Sequence, residues 1–238
     1  MLRRTVLRLT GAFLVSGSAM LAGCNTFPFV EGGPTVEAPT LHVGDRWVYR
    51  AQDGFMRPVV WEETREVIGA TNGGYVVRVT QRGPAVDKVR TEQLSTSGRV
   101  QVGAVFDEET RRFEQELKRY EFPLAPGKTW NQWVKNFNED TKRTGELNRY
   151  VRIGGWQRVA TPAGSFDAIA VNVIMHLDDD EFWRERTDCT YRLWYAPAVN
   201  AVVREEKEAQ YYEKSGKIDS GPIRSQHAVL ELISYTPG

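Results

Sequence analysis

The chain has 238 residues, with 31 basic and 31 acidic side chains, three histidines and two cysteines. Balanced charge without a basic block argues against a nucleic-acid binder, and two cysteines exclude a disulfide-built scaffold. At 41% hydrophobic the chain holds enough apolar material for one core, and its length is ordinary for a single all-β domain.

The first stretch reads as a leader. Arg3, Arg4 and Arg8 make a basic start, Leu9 to Ala22 carries no charge, and no acidic residue precedes Glu31. That is the pattern of a secretory signal. Its apolar run is shorter than the ~20 residues that cross a bilayer as a helix. It ends Leu21-Ala22-Gly23-Cys24, which resembles the lipobox of bacterial lipoproteins. The resemblance implies cleavage between Gly23 and Cys24, a diacylglycerol on the Cys24 sulfur and an acyl chain such as palmitate on the new amine. Each buried CH₂ contributes about 0.8 kcal/mol, so several chains hold where one binds marginally. Asn25 follows the cysteine where an aspartate would resemble an inner-membrane signal, which points to the outer membrane. Residues 25–39 contain Pro28, Pro34, Pro39, Gly32 and Gly33, a composition that prevents a helix and discourages a ladder. The organisation expected is a signal peptide over 1–23, a flexible tether over 24–39 and a folded domain over 40–238.

From Asp45 onward, period-two patterns recur. They run over Asp45–Arg50, Val59–Ala70, Tyr75–Thr80, Val86–Leu94, Val100–Phe106, Tyr150–Thr161, Phe166–His176, Phe182–Tyr195, Val199–Glu208 and Ser225–Tyr235. Alternation of this kind puts one face of a strand in the core. Turn residues separate the runs, and Asn72-Gly73-Gly74 is a hairpin signal because its residues tolerate positive φ. Residues 107–122 read equally as helix or strand, with Phe113, Leu117 and Tyr120 at helical spacing. Cys189 shares a strand face with Tyr191, Leu193 and Tyr195, so it is expected in the core as an inert thiol. Gly44-Asp-Arg-Trp47 and Gly127-Lys-Thr-Trp130 each precede a strand, 83 residues apart. They raise two readings, an internal duplication or the coincidence of a common turn.

Chemistry is sparse. His42, His176 and His227 stand in no metal-binding spacing, and no nucleophile elbow, phosphate loop or dinucleotide fingerprint occurs. His176 precedes Asp178, Asp179 and Asp180, a set that could hold a cation but suits a solvated turn better. If a catalytic cleft exists, His176 and Asp188 are where it is expected. Glu62/Glu63 and Glu205/Glu206 must point to opposite strand faces, where they pair with basic residues of neighbouring strands rather than act as an acid–base couple. No catalytic residue, metal ligand or cofactor is assigned. Among the seven tryptophans, Trp61, Trp183 and Trp194 are the candidate ligand or interface aromatics.

Four segments carry a resemblance. They are L-H-V-G-D-R-W-V-Y at 41–49, P-L-A-P-G-K-T-W at 123–130, V-A-T-P-A-G-S-F-D-A-I-A-V at 159–171 and Y-R-L-W-Y-A-P-A-V-N-A-V-V-R-E-E at 191–206. Together they resemble a β-rich group of bacterial envelope proteins that carries no established activity. The group tends to have glycines where this chain has Ala198 and Asn200. Asn still tolerates positive φ; Ala198 puts the turn geometry in question.

The fold expected is mainly β: a single antiparallel curved sheet or half-open barrel, built as one meander or as two similar ones, with at most one or two short helices. The function expected is that of a lipid-anchored, periplasm-facing envelope lipoprotein acting as a non-enzymatic module. It would bind an envelope protein or another envelope component. One alternative is a carrier holding a lipid or acyl chain on a concave apolar face, and a second is a hydrolase with an unrecognised site.

Overall fold

The computed structural model describes residues 33–71, 74–106, 109–179, 181–214 and 221–238. The leader, Gly23 and Cys24 lie outside the described residues. Twelve strands follow in order: β1 (Arg46–Asp53), β2 (Val59–Thr71), β3 (Gly74–Gly83), β4 (Val86–Thr96), β5 (Arg99–Ala104), β6 (Thr110–Lys118), β7 (Thr129–Asn138), β8 (Arg143–Thr161), β9 (Gly164–Asp178), β10 (Thr187–Ala196), β11 (Ala201–Tyr211) and β12 (Ile223–Thr236). Each strand pairs antiparallel with the next, and β12 returns to β1 to close a barrel.

Mainly β and antiparallel is as expected; the half-open barrel or curved sheet is corrected to a closed one. The closing seam runs from Arg46 opposite Thr236 to Asp53 opposite Ala228. Alternation could not reveal it, because an edge strand and a closing strand carry the same inside–outside pattern. Closure gives every strand two neighbours, although the β4–β5 and β6–β7 ladders are short. The described residues contain no α-helix, only a 3₁₀ turn at Pro197–Val199.

The ambiguous 107–122 segment contains β6. Arg111, Phe113 and Leu117 are buried there while Arg112, Glu114 and Glu116 face solvent, and the ladders to both neighbours override helical spacing. Within the Phe182–Tyr195 run the strand begins only at Thr187, so Trp183 belongs to the β9–β10 connection. Ala198 lies within the 3₁₀ turn, and Asn200 takes the left-handed position after it, at φ 52°. The αL residue that the turn needs is therefore Asn200 alone, and Ala198 fits.

The two Gly…Trp segments open the two six-strand halves. Gly44 and Gly127 have φ of +98° and +86°, a region costly for any residue with a Cβ. Gly44 N donates to Val67 O and Val67 N to Asp45 O; Gly127 N donates to Ile153 O and Ile153 N to Lys128 O. In both, the following strand then breaks register, between Val67 and Gly69 and between Ile153 and Trp156. Trp47 and Trp130 are both buried just inside the first strand of their half. The two turns share their geometry, ladder bonds, bulge and buried tryptophan.

The outer face of β1, β12 and β11 is charged: Arg50, Glu231, Arg204 and Glu206 form one ladder of ion pairs at 2.8 to 2.9 Å. On β7, β8 and β9 the outer face exposes Trp133, Tyr150 and Ile174. One end of the barrel is crossed by residues 33–42, the last part of the expected tether. Val36 is buried and exchanges backbone hydrogen bonds with Leu124 at 2.8 and 2.9 Å. Pro34 O accepts from Trp156 Nε1 at 3.0 Å, and Leu41 N donates to the Tyr75 hydroxyl at 3.4 Å. We call this the strap end; the β1–β2 and β9–β10 connections lie at the opposite, far end.

Candidate functional site

Eight strands make a barrel that aliphatic side chains just fill, and sixteen leave a water channel. Twelve lie between, so the interior needs long side chains. Here those side chains are arginines and tyrosines, and their polar groups must find partners inside. Arg65 on β2 donates from Nε to Glu63 and from Nη1 to Glu205 on β11, each at 2.7 Å. Gln81 completes Glu63 at 2.7 Å, and Lys207 reaches Glu205 at 2.7 Å. Next to this group Arg119 binds Glu92 at 2.9 Å. Burial raises the carboxyls of Glu205 and Glu92, but Arg65 and Lys207 outweigh it for Glu205, and Arg119 and Arg90 for Glu92, which falls to about 2. Tyr49 sits under the Arg65 guanidinium, 4.6 Å from ring centroid to Cζ, and its hydroxyl donates to Val202 O.

These groups surround an internal cavity of about 180 Å³. Its polar lining includes Arg65, Arg90, Arg119, Arg149, Lys207, Glu92 and Glu205; its apolar lining includes Trp47, Val77, Leu94, Leu117, Met175 and Leu193. Counting Glu63 behind Arg65, five cations face three carboxylates, so the chamber is net positive. One cation that shares none of these carboxylates is Arg149 on β8. This side chain is buried, and Nη1 donates to the carbonyls of Lys118 and Arg119 at 3.0 and 3.1 Å. Among the described residues no carboxylate pairs with it. Burial pulls its guanidinium down to about 10, which Tyr120 and Tyr191 offset only in part.

Tyr195 on β10 lines the same cavity. It packs edge-on against Tyr120 and Phe122, with centroids 5.6 and 5.8 Å away. Its hydroxyl is buried and has no hydrogen-bond partner among the described residues, and burial raises its pKa far above that of an ordinary tyrosine. A second hollow of about 370 Å³ lies at the far end, lined by Asp53, Phe55, Val59, Trp61, Gln81, Lys88, Arg224 and His227 among others. Gln226 lines both the chamber and this hollow. Phe55 stacks on His227 at its rim, centroids 4.5 Å apart.

The predicted aromatics are not brought together. Trp61 is half-buried in the far-end hollow. Trp183 donates to Glu181 at 3.0 Å and packs edge-on against Tyr211. Trp194 is buried on the outer side of β10, bonded to Gln157 at 2.7 Å and flanked by Arg192 and Arg204, so its role is structural. His176 and Asp188 do meet, at 2.6 Å, with Arg186 also on Asp188 at 3.2 Å. They sit on adjacent strands of the outer wall, and neither residue lines the chamber or the hollow. Among the described residues no cluster of three metal-ligating side chains occurs. Asp179 instead forms a buried plug near the far end, bonded to both Nη atoms of Arg111 at 2.5 and 2.8 Å. Cys189 is buried on the inward face as expected.

Sequence reading missed Arg149, Arg119 and Tyr120. The available signal was parity: Leu147, Arg149, Val151 and Ile153 share one face of β8, so an arginine interrupts an otherwise apolar row.

No family model matches the chain, and no curated protein matches it significantly. Two solved structures share its fold. One is a Bacteroides fragilis protein described provisionally as exported and as having a YmcC-like fold; identity is 13%, coverage 84% of this chain and 99% of that one, and the TM-score 0.52. The other is a Parabacteroides distasonis protein described provisionally as a lipoprotein, at 12% identity, covering 86% and 100% of the two chains, with a TM-score of 0.53. At these identities the likeness is one of fold.

Proposed function

We propose that the chain is an outer-membrane lipoprotein, anchored through Cys24 and facing the periplasm, that acts as a non-enzymatic binding module with its ligand site inside the barrel. The leader supports the anchoring, and so do the descriptions of the two structural neighbours as an exported protein and a lipoprotein. The interior site rests chiefly on one observation: a lined chamber whose polar groups are not all satisfied by the protein.

The acyl-carrier reading has less support. A chamber of about 180 Å³ is below the ~300 Å³ at which drug-sized ligand pockets begin. An acyl chain against Arg65, Arg119 and Glu205 would also strip water from charges without replacing its hydrogen bonds. The test is native mass spectrometry of the full chain purified from envelopes, followed by denaturation and identification of what is released. A small polar molecule in stoichiometric amount is the expected result. Stoichiometric phospholipid or fatty acid would replace this reading with the carrier.

A further inference from the structure

We propose that the chamber takes a small organic anion, its carboxylate or phosphate group held against Arg149. This deepens the interior-site reading and rests on it. The argument begins with the cost of the arginine. A buried charge without a counter-charge is expensive, and such groups are kept where a ligand completes them. Arg149 has five N–H donors, of which Nη1 serves the carbonyls of Lys118 and Arg119. Nε and Nη2 have no protein acceptor among the described residues, and the side chain lines the cavity. That leaves the edge of the guanidinium that suits a two-oxygen acceptor. Arg119 is a second cation on the same cavity, itself already paired with Glu92.

Arg149 is not the sole unsatisfied group. The Tyr195 hydroxyl, buried and unpartnered, lines the same chamber, ready to bond a hydroxyl or carbonyl elsewhere on the ligand. Tyr120 and Tyr191 add aromatic surface beside Arg149. Size sets the rest. An apolar cavity of about 150 Å³ accepts benzene, so about 180 Å³ admits a ring-sized body with its anionic group at the arginine. The anion's charge would offset the burial that pulls Arg149 toward about 10.

The experiment titrates the full chain in detergent with benzoate, phenyl phosphate and neutral benzamide, read by calorimetry and tryptophan fluorescence. Benzoate or phenyl phosphate is expected to bind at least tenfold more tightly than benzamide. Arg149→Gln should lower that affinity at least tenfold, and Arg149→Lys should restore part of it. Tyr195→Phe removes only an unpartnered hydroxyl, so it folds normally and should weaken binding about threefold even if Arg149→Gln is unstable. Leu94→Phe, which narrows the chamber, should weaken binding of every probe. If benzamide binds as well as benzoate, the anion assignment falls and the interior site stands. If both Arg149→Lys and Tyr195→Phe leave anion affinity unchanged, the assignment also falls. If no probe binds, or Leu94→Phe leaves binding intact, the interior site falls and takes the assignment with it.

Discussion

Two interior arginines should respond unequally to the same substitution. Arg65 is built into the barrel: it holds Glu63 and Glu205 at 2.7 Å each and covers Tyr49. Arg65→Met takes the shared cation from two buried carboxylates, which keep Gln81 and Lys207 as partners. Breaking one buried pair costs about 3–5 kcal/mol, so a loss of about 4 kcal/mol at pH 7 is expected. Arg149→Met removes a charge that has no counter-ion. Its fall from 12.5 to about 10 corresponds to about 3 kcal/mol of unfavourable burial at 1.36 kcal/mol per pH unit. Against this stand two bonds to carbonyls, each worth about 1.5–3 kcal/mol from a charged donor, and Lys118 O keeps a bond from Trp130 Nε1 at 3.1 Å. The two bonds together are worth about 3–6 kcal/mol, so the net loss lies between about 0 and 3 kcal/mol and is smaller than that of Arg65→Met. Urea unfolding of the full chain, followed by tryptophan fluorescence, measures both. The Arg65→Met deficit should shrink as pH falls from 7 to 5, because Glu63 and Glu205 then gain protons more readily in the folded state than in the unfolded one. Equal losses for the two variants, or a loss under about 1 kcal/mol for Arg65→Met, would refute the distinction between a structural and a ligand-binding arginine.

Other outcomes follow from the same geometry. Glu92 is held at about 2 against an ordinary 4.5, so its contribution of about 3 kcal/mol is present above pH 4.5 and lost as pH falls toward 2. The stability gap between the native chain and Glu92→Gln, measured by urea midpoints, should close over that window; a gap constant from pH 6 to 3 contradicts it. Leu94→Phe should shift the unfolding midpoint by less than about 1 kcal/mol, since the ring enters existing space rather than packed core. Gly127→Ala, at φ +86°, should cost about 1–2 kcal/mol in thermal unfolding, and Gly44→Ala a similar amount if the two turns are equivalent. Cys24→Ala should move the protein from the membrane to the soluble fraction and abolish labelling by radioactive palmitate. Retention in the membrane would remove the lipid anchor.

Much of this molecule follows from local rules. Inward and outward parity on a strand is a property of two-residue spacing, so Cys189 could be placed inside, and Glu205 and Glu206 on opposite faces, before any fold was known. The Gly44 and Gly127 turns could be matched because a positive φ and a following tryptophan are written within four residues. Three things were decided only in space. Closure depends on β12 finding β1, across nearly the whole chain, and neither strand carries a mark of it. The β6 segment took its conformation from two neighbouring ladders that outweighed its own helical spacing. The chamber exists because twelve strands enclose more room than aliphatic side chains fill, and a strand count that closes is a tertiary quantity. Arg149 was visible as an arginine in an apolar row. That it lacks a counter-charge depends on where Glu63, Glu92 and Glu205 lie on three other strands, each committed to another cation. A sequence states which charges a chain carries; only the packed barrel determines which of them is left over.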